Sequence, residues 1–174
     1  MAATRPVSYT HLTNITVTGN GGTLTVSNGG TASGATISGA DAQEYVSAGA
    51  TAIATSLGGA NGFQEVIGSA VSTIITGGGD QDVQGGTVTS TNIGSGGSGG
   101  YQSVISGGTA TSTTISGTDV TQFVASGGIA IATTISATSG GDAEQFVSGG
   151  TASNTVIYSG GSEVVLSLIH IRCV

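Results

Sequence analysis

Lysine is absent from this 174-residue chain, and its two arginines, two histidines, single proline and single cysteine all fall within the first twelve or the last nine residues. Residues 13–165 therefore carry no cationic side chain and no histidine. Nucleic acid is excluded as a partner of that stretch, because binding by counterion release needs Lys or Arg. Catalysis by paired carboxylates on a polysaccharide is disfavoured, because such sites combine the acids with a Lys, Arg or His that handles developing negative charge. Lack of proline leaves every backbone N–H free to join a strand ladder. Lack of cysteine suits a chain that crosses an oxidising periplasm unfolded, although many cytosolic proteins share it. No apolar run approaches the length of a transmembrane helix, so no membrane insertion of this segment is expected. No P-loop, dinucleotide fingerprint or metal-ligand cluster occurs, so the reading is of a non-enzyme with no cofactor.

What fills the chain instead is one short pattern, Thr-Ala-x-x-Thr-x-Ile, in seven copies at 31–37, 51–57, 69–75, 87–93, 109–115, 129–135 and 151–157. Upstream of each lies a valine that often follows an aromatic: Val26, Tyr45-Val46, Val66, Val83, Val104, Phe123-Val124 and Phe146-Val147. The period of roughly 20 residues is that of a solenoid. At about 3.3 Å per extended residue it gives a perimeter near 65 Å, enough for two or three short strands with tight corners. Ser-Gly-Gly and its relatives supply those corners, and Thr, Val and Ile suit the strands between them. The expected fold is all-β, a right-handed parallel β-helix of about seven coils. Stacking then makes one buried ladder of Ile37, Leu57, Ile75, Ile93, Ile115, Ile135 and Ile157 and a second of the valines. Alanine at the second motif position (Ala32, Ala52, Ala70, Ala110, Ala130, Ala152) implies a narrow place in the core.

The acidic residues all lie inside the repeats, so the net charge of −7 becomes −9 once the two terminal arginines are set aside. Asp41, Asp80, Asp82, Asp119, Asp142, Glu144 and Glu163 are expected to line one edge of the stack. The simplest role for that stripe is a solvated edge that discourages lateral sheet pairing; calcium bridging by Asp80, Asp82, Asp142 and Glu144 is the alternative. Tyr45, Phe63, Tyr101, Phe123 and Phe146 are expected to form a stacked column, buried beside the valines in preference to forming a sugar platform. Serine and threonine fill outward positions, which keeps an ice-binding solenoid among the alternatives.

The two ends are expected to have a different origin. Pro-Val-Ser-Tyr-Thr-His-Leu over residues 6–12 and Leu-Ser-Leu-Ile-His-Ile over residues 166–171 can be encoded by one nucleotide string, CTGTCTCTTATACACATCT, in two reading frames. That string resembles the transposon end used in preparing sequencing libraries. Residues 1–12 and 166–174 are therefore expected to be translated adapter, leaving 13–165 as the repeat array of a longer gene. On that reading His11, His170 and Cys173 carry no functional information.

The segment 147–161, Val-Ser-Gly-Gly-Thr-Ala-Ser-Asn-Thr-Val-Ile-Tyr-Ser-Gly-Gly, resembles the repeat of AIDA-type autotransporter adhesins, as do residues 104–115 and 124–135. The resemblance covers residues 20–165. It implies a secreted passenger on the bacterial cell surface that mediates adhesion, autoaggregation or biofilm formation. Its partners would be host or bacterial surface receptors, or further copies of itself. It also implies O-glycosylation of Ser and Thr in some members, with Thr113, Thr133 and Thr155 as the acceptors that match by position. The functional alternative is a calcium- or carbohydrate-handling β-helix.

Overall fold

The structure is a computed structural model that describes residues 10–59, 61–94, 99–138 and 140–166. It is a right-handed parallel β-helix with three strands per coil and no helix among the described residues. Equivalent strands from successive coils pair in parallel and build three eight-stranded sheets. Sheet A starts with His11–Thr13 and ends with Thr151–Ser153, sheet B runs from Thr16–Val17 to Val156–Ile157, and sheet C from Thr23–Val26 to Gly161–Leu166.

Among the described residues there are eight coils, one more than the seven readable copies of the motif. The additional one, residues 11–26, precedes the first readable copy, and its motif is disguised because Leu12, Ile15 and Val17 replace the usual Ala, Thr and Ile. Register exposes the equivalence: His11, Leu12 and Thr13 pair with Thr31, Ala32 and Ser33, and Thr16 and Val17 with Thr36 and Ile37. His11 and Leu12 thus lie in a strand, as does Leu166 at the other end. Residues 1–9 and 167–174, which hold the rest of the expected adapter, lie outside the described residues.

Strand alternation decides what is inside. Each sheet A strand turns its central residue inward, and Ala32, Ala52, Ala70, Ala110 and Ala130 are almost completely buried there, with Val88 in the fifth coil. Sheet B contributes the Ile37, Leu57, Ile75, Ile93, Ile115 and Ile135 ladder, and sheet C the valines from Val26 to Val147. Ile157 and Val165, the last members of these columns, are 47% and 60% exposed because nothing is stacked on coil eight among the described residues.

Two of the three corners in each coil follow a fixed plan. Between sheets C and A, the first glycine of the pair sits at positive φ, as at Gly107 (φ 87). The second is required by close approach: a Cβ at Gly108 or Gly128 would collide with the carbonyl of Val83 or Val104 one coil away. Between sheets A and B the turn is one left-handed residue, the fourth of the motif, taken by Asn14, Gly34, Ala54, Ser72, Ser90, Ser112, Ala132 and Asn154. In coils one to seven its N–H donates to the following coil, as from Ser90 to the Thr111 carbonyl at 2.9 Å.

Candidate functional site

The strands of sheet C carry two chemistries on opposite faces. Two residues before each core valine stands Leu24, Glu44, Gln64, Gln81, Gln102, Gln122, Gln145 or Glu163, and strand alternation sends both residues of each pair inward. Register places all eight in one column. Each glutamine from Gln64 to Gln145 donates through Nε2 to the side-chain oxygen of the preceding coil at 2.6 Å. Threonines from the start of sheet B complete the network. Thr113 Oγ donates to Gln102 Oε1 at 3.3 Å and accepts from Gln122 Nε2 at 3.1 Å, and Thr133 repeats this one coil later. At Gln122 and Gln145 both amide hydrogens and the amide oxygen are bonded, the condition for keeping a polar group in a dry core.

The column begins at Glu44 because the preceding coil offers nothing to donate to. Leu24 stands below it and Ala35 occupies the threonine position of its own coil, so a glutamine would have two orphaned N–H groups. A carboxyl brings at most one donor hydrogen where an amide brings two, and Glu44 Oε2 accepts from Gln64 Nε2 at 2.6 Å and Thr55 Oγ at 3.0 Å. Its Oε1 has no partner. Burial pushes the Glu44 carboxyl above the ordinary glutamate range, and the bonds from Gln64 and Thr55 pull weakly the other way. Sequence reasoning missed this column, although the recurring Gln-x-Val spacing signals it.

The outward face of the same strands holds the rings and most of the strand carboxylates. One outward column runs Thr23, Gln43, Phe63, Asp80, Tyr101, Thr121, Glu144 and Ser162; the other runs Thr25, Tyr45, Glu65, Asp82, Ser103, Phe123, Phe146 and Val164. The expected aromatic column buried beside the valines is therefore not found. A ring adjacent in sequence to an inward valine must point outward, and the five rings are half-buried in two columns. Tyr45 meets Phe63 edge to face at 6.4 Å, and Phe123 stacks on Phe146 at 5.9 Å.

The acidic stripe divides into three places. Asp41, Asp119 and Asp142 are exposed at the corners, Glu65, Asp80, Asp82 and Glu144 lie on the outward face of sheet C, and Glu44 and Glu163 join the interior column. Burial, then the charge of Asp82, raises the Asp80 carboxyl; burial also raises Asp82, opposed by Ser103 beside it. Burial and then the charges of Asp82 and Asp80 raise the Tyr101 phenol. Asp80 and Asp82 sit in coil four and Asp142 and Glu144 in coil seven, so the suggested calcium ligands are two separate pairs. Among the described residues no group of three or more His, Cys, Asp or Glu is arranged to hold a metal ion.

The three threonines singled out as acceptors by position are inside. Thr113 and Thr133 are 1% exposed and Thr155 half-buried, each bonded to the glutamine column. Their neighbours Thr114 and Thr134 are the ones that reach the surface.

No protein-family model and no curated protein matches this chain. Among solved structures, it is similar to a fragment of TibA, residues 55–350, hyper-glycosylated in a reaction catalysed by TibC. The identity is 35% and the TM-score 0.67, over 91% of this chain and 65% of that fragment. The likeness extends over nearly the whole stack of coils, with this chain spanning just under two thirds of the fragment.

Proposed function

We propose that this chain is a repeat segment of a bacterial surface adhesin of the AIDA type, a rigid spacer and contact surface in one. The observation that carries this reading is the likeness to TibA, an autotransporter adhesin passenger, through a fold whose repetition presents the same kind of face many times. A stack of coils suits adhesion because weak contacts repeated along a stiff rod add by avidity, with no single deep pocket required. Adhesion, autoaggregation and biofilm formation are all outcomes of such contacts. Beads coated with the chain should clump with one another, or adhere to bacterial or epithelial cells, well above beads coated with a glycine-serine-aspartate polymer of equal charge. Equal behaviour of the two bead types would remove the proposal.

Modification belongs to the same reading. A TibC-type transferase acting on the folded coils would find the outward hydroxyls, Thr114 and Thr134 among them, and not Thr113 or Thr133. Co-expression with TibC followed by peptide mass mapping checks this. Sugar on Thr113 or Thr133 in folded protein would contradict it.

A further inference from the structure

Within the strands from Thr31 onward, aromatic rings and carboxylates are confined to one of the three walls, while Asp41, Asp119, Asp142 and Tyr158 stand at corners. Among the described residues, no strand of sheets A or B from Thr31 onward contains either, and their outward positions hold Thr, Ser, Asn and aliphatics. Sheet C presents Tyr45, Phe63, Tyr101, Phe123 and Phe146 together with Glu65, Asp80, Asp82 and Glu144. Register interleaves them: Asp80 lies between Phe63 and Tyr101 in one column, and the Glu65–Asp82 pair lies between Tyr45 and the Phe123–Phe146 stack in the other. Residues 13–165 hold no cation to pair with these acids, and neighbouring strands stand only about 4.8 Å apart.

The face as built is short of positive charge in a place where flat rings adjoin carboxylates. A guanidinium group meets both demands at once: its plane stacks on a ring while its N–H fork engages a neighbouring carboxylate. We infer that the outward face of sheet C over coils two to seven is a docking surface for an arginine-rich segment of another protein. This goes beyond the adhesin reading and holds wherever the chain is displayed.

Fluorescence anisotropy with a labelled octa-arginine peptide tests it at low salt, with octa-lysine and a neutral gluco-oligosaccharide as competitors. Octa-arginine should bind more tightly than octa-lysine, because lysine lacks the stacking plane. The paired change Asp80→Asn with Asp82→Asn should weaken binding about tenfold, and Tyr101→Ala or Phe123→Ala several-fold. Asp41→Asn with Asp119→Asn is the control, since it removes the same two charges at exposed corners. These two residues sit at left-handed φ, a conformation asparagine accepts, and their loss should alter binding less than twofold. Unchanged melting temperatures would establish that each variant is folded. Equal weakening by the two paired changes would reduce the effect to net charge and overturn the inference. Loss of octa-arginine binding to the neutral oligosaccharide, with the rings needed and the acids not, would overturn it in favour of a sugar platform. Failure of bead adhesion with this peptide binding intact would strike the adhesin proposal alone.

Discussion

The inward and outward faces of sheet C belong to the same strands and obey opposite rules. Inside, coils three to seven repeat glutamine and valine without exception, whereas outside the equivalent positions hold Phe, Glu, Asp, Tyr, Ser, Thr and Phe again. The interior is uniform because each amide is satisfied by the column member one coil away together with a threonine hydroxyl, so a change at one level orphans groups at the levels on either side. The exterior is free to vary because water satisfies whatever is placed there. Uniformity in this molecule therefore marks stability, and variety marks the surface on which contacts differ from coil to coil.

The comparison breaks most severely at Gln102. Gln102→Leu keeps the volume but leaves Gln81 Oε1, Gln122 Nε2 and Thr113 Oγ short of partners. Two hydrogens lose their acceptor, one on Gln122 Nε2 and one on Thr113 Oγ, while Gln81 Oε1 keeps its bond from Thr91, so the change should cost about 2–6 kcal/mol in urea unfolding, at about 1–3 kcal/mol per orphaned group. Asp82→Asn, one residue from Val83 on the same sheet but facing out, should change stability by less than about 0.5 kcal/mol. A loss of similar size in both would erase the distinction between the faces.

The next effect is one of pH. Glu44 has its folded pKa raised by burial, so its contribution is fully present below the unfolded value of about 4.3. It is lost as the pH rises through the folded value, because the unfolded chain gains from ionising a carboxyl that the dry core keeps neutral. The carboxyls of Asp80 and Asp82 are raised too and act in the same direction. The melting temperature should therefore fall as pH is raised from about 4, and Glu44→Gln should flatten that slope while lowering stability at acid pH by orphaning its new N–H groups. An unchanged slope in the variant would show that the carboxyl ionises without penalty.

Two smaller changes sharpen the picture by improving on the natural chain. Glu163 pairs in register with Gln145 but brings a carboxylate where a donor is needed. Glu163→Gln should donate to Gln145 Oε1 and Thr155 Oγ and raise stability by about 1 kcal/mol, read from thermal unfolding. Ala132 holds φ 57 at the corner between sheets A and B, and Ala132→Gly should gain about 0.5–1 kcal/mol by relieving the left-handed strain. A destabilised Ala132→Gly would count against strain there.

The terminal coils show why some features were hard to read. Coil one retains the pattern of apolar and polar positions but none of the motif letters, and only its pairing with residues 31–37 reveals it. The glutamine column was legible in principle from Gln-x-Val. However, successive members are bonded across separations that vary between 17 and 23 residues, so no fixed period lines them up. The aromatic positions were visible, yet their direction depended on counting from the inward valine by twos.

The sequence by itself determined the solenoid: its glycine corners, the β-branched strands, the isoleucine and valine ladders, and the absence of cations that leaves the acids unpaired. These follow from local conformational preference and from apolar periodicity, which act within one coil. Tertiary structure alone decided which coil sits on which residue of the next. It thereby decided that five glutamines and a glutamate share one hydrogen-bonded column, that Thr113 and Thr133 are buried in it, and that rings and carboxylates meet on one wall. Those outcomes depend on register between chain segments about 20 residues apart, and register is set by the whole stack satisfying its buried groups together.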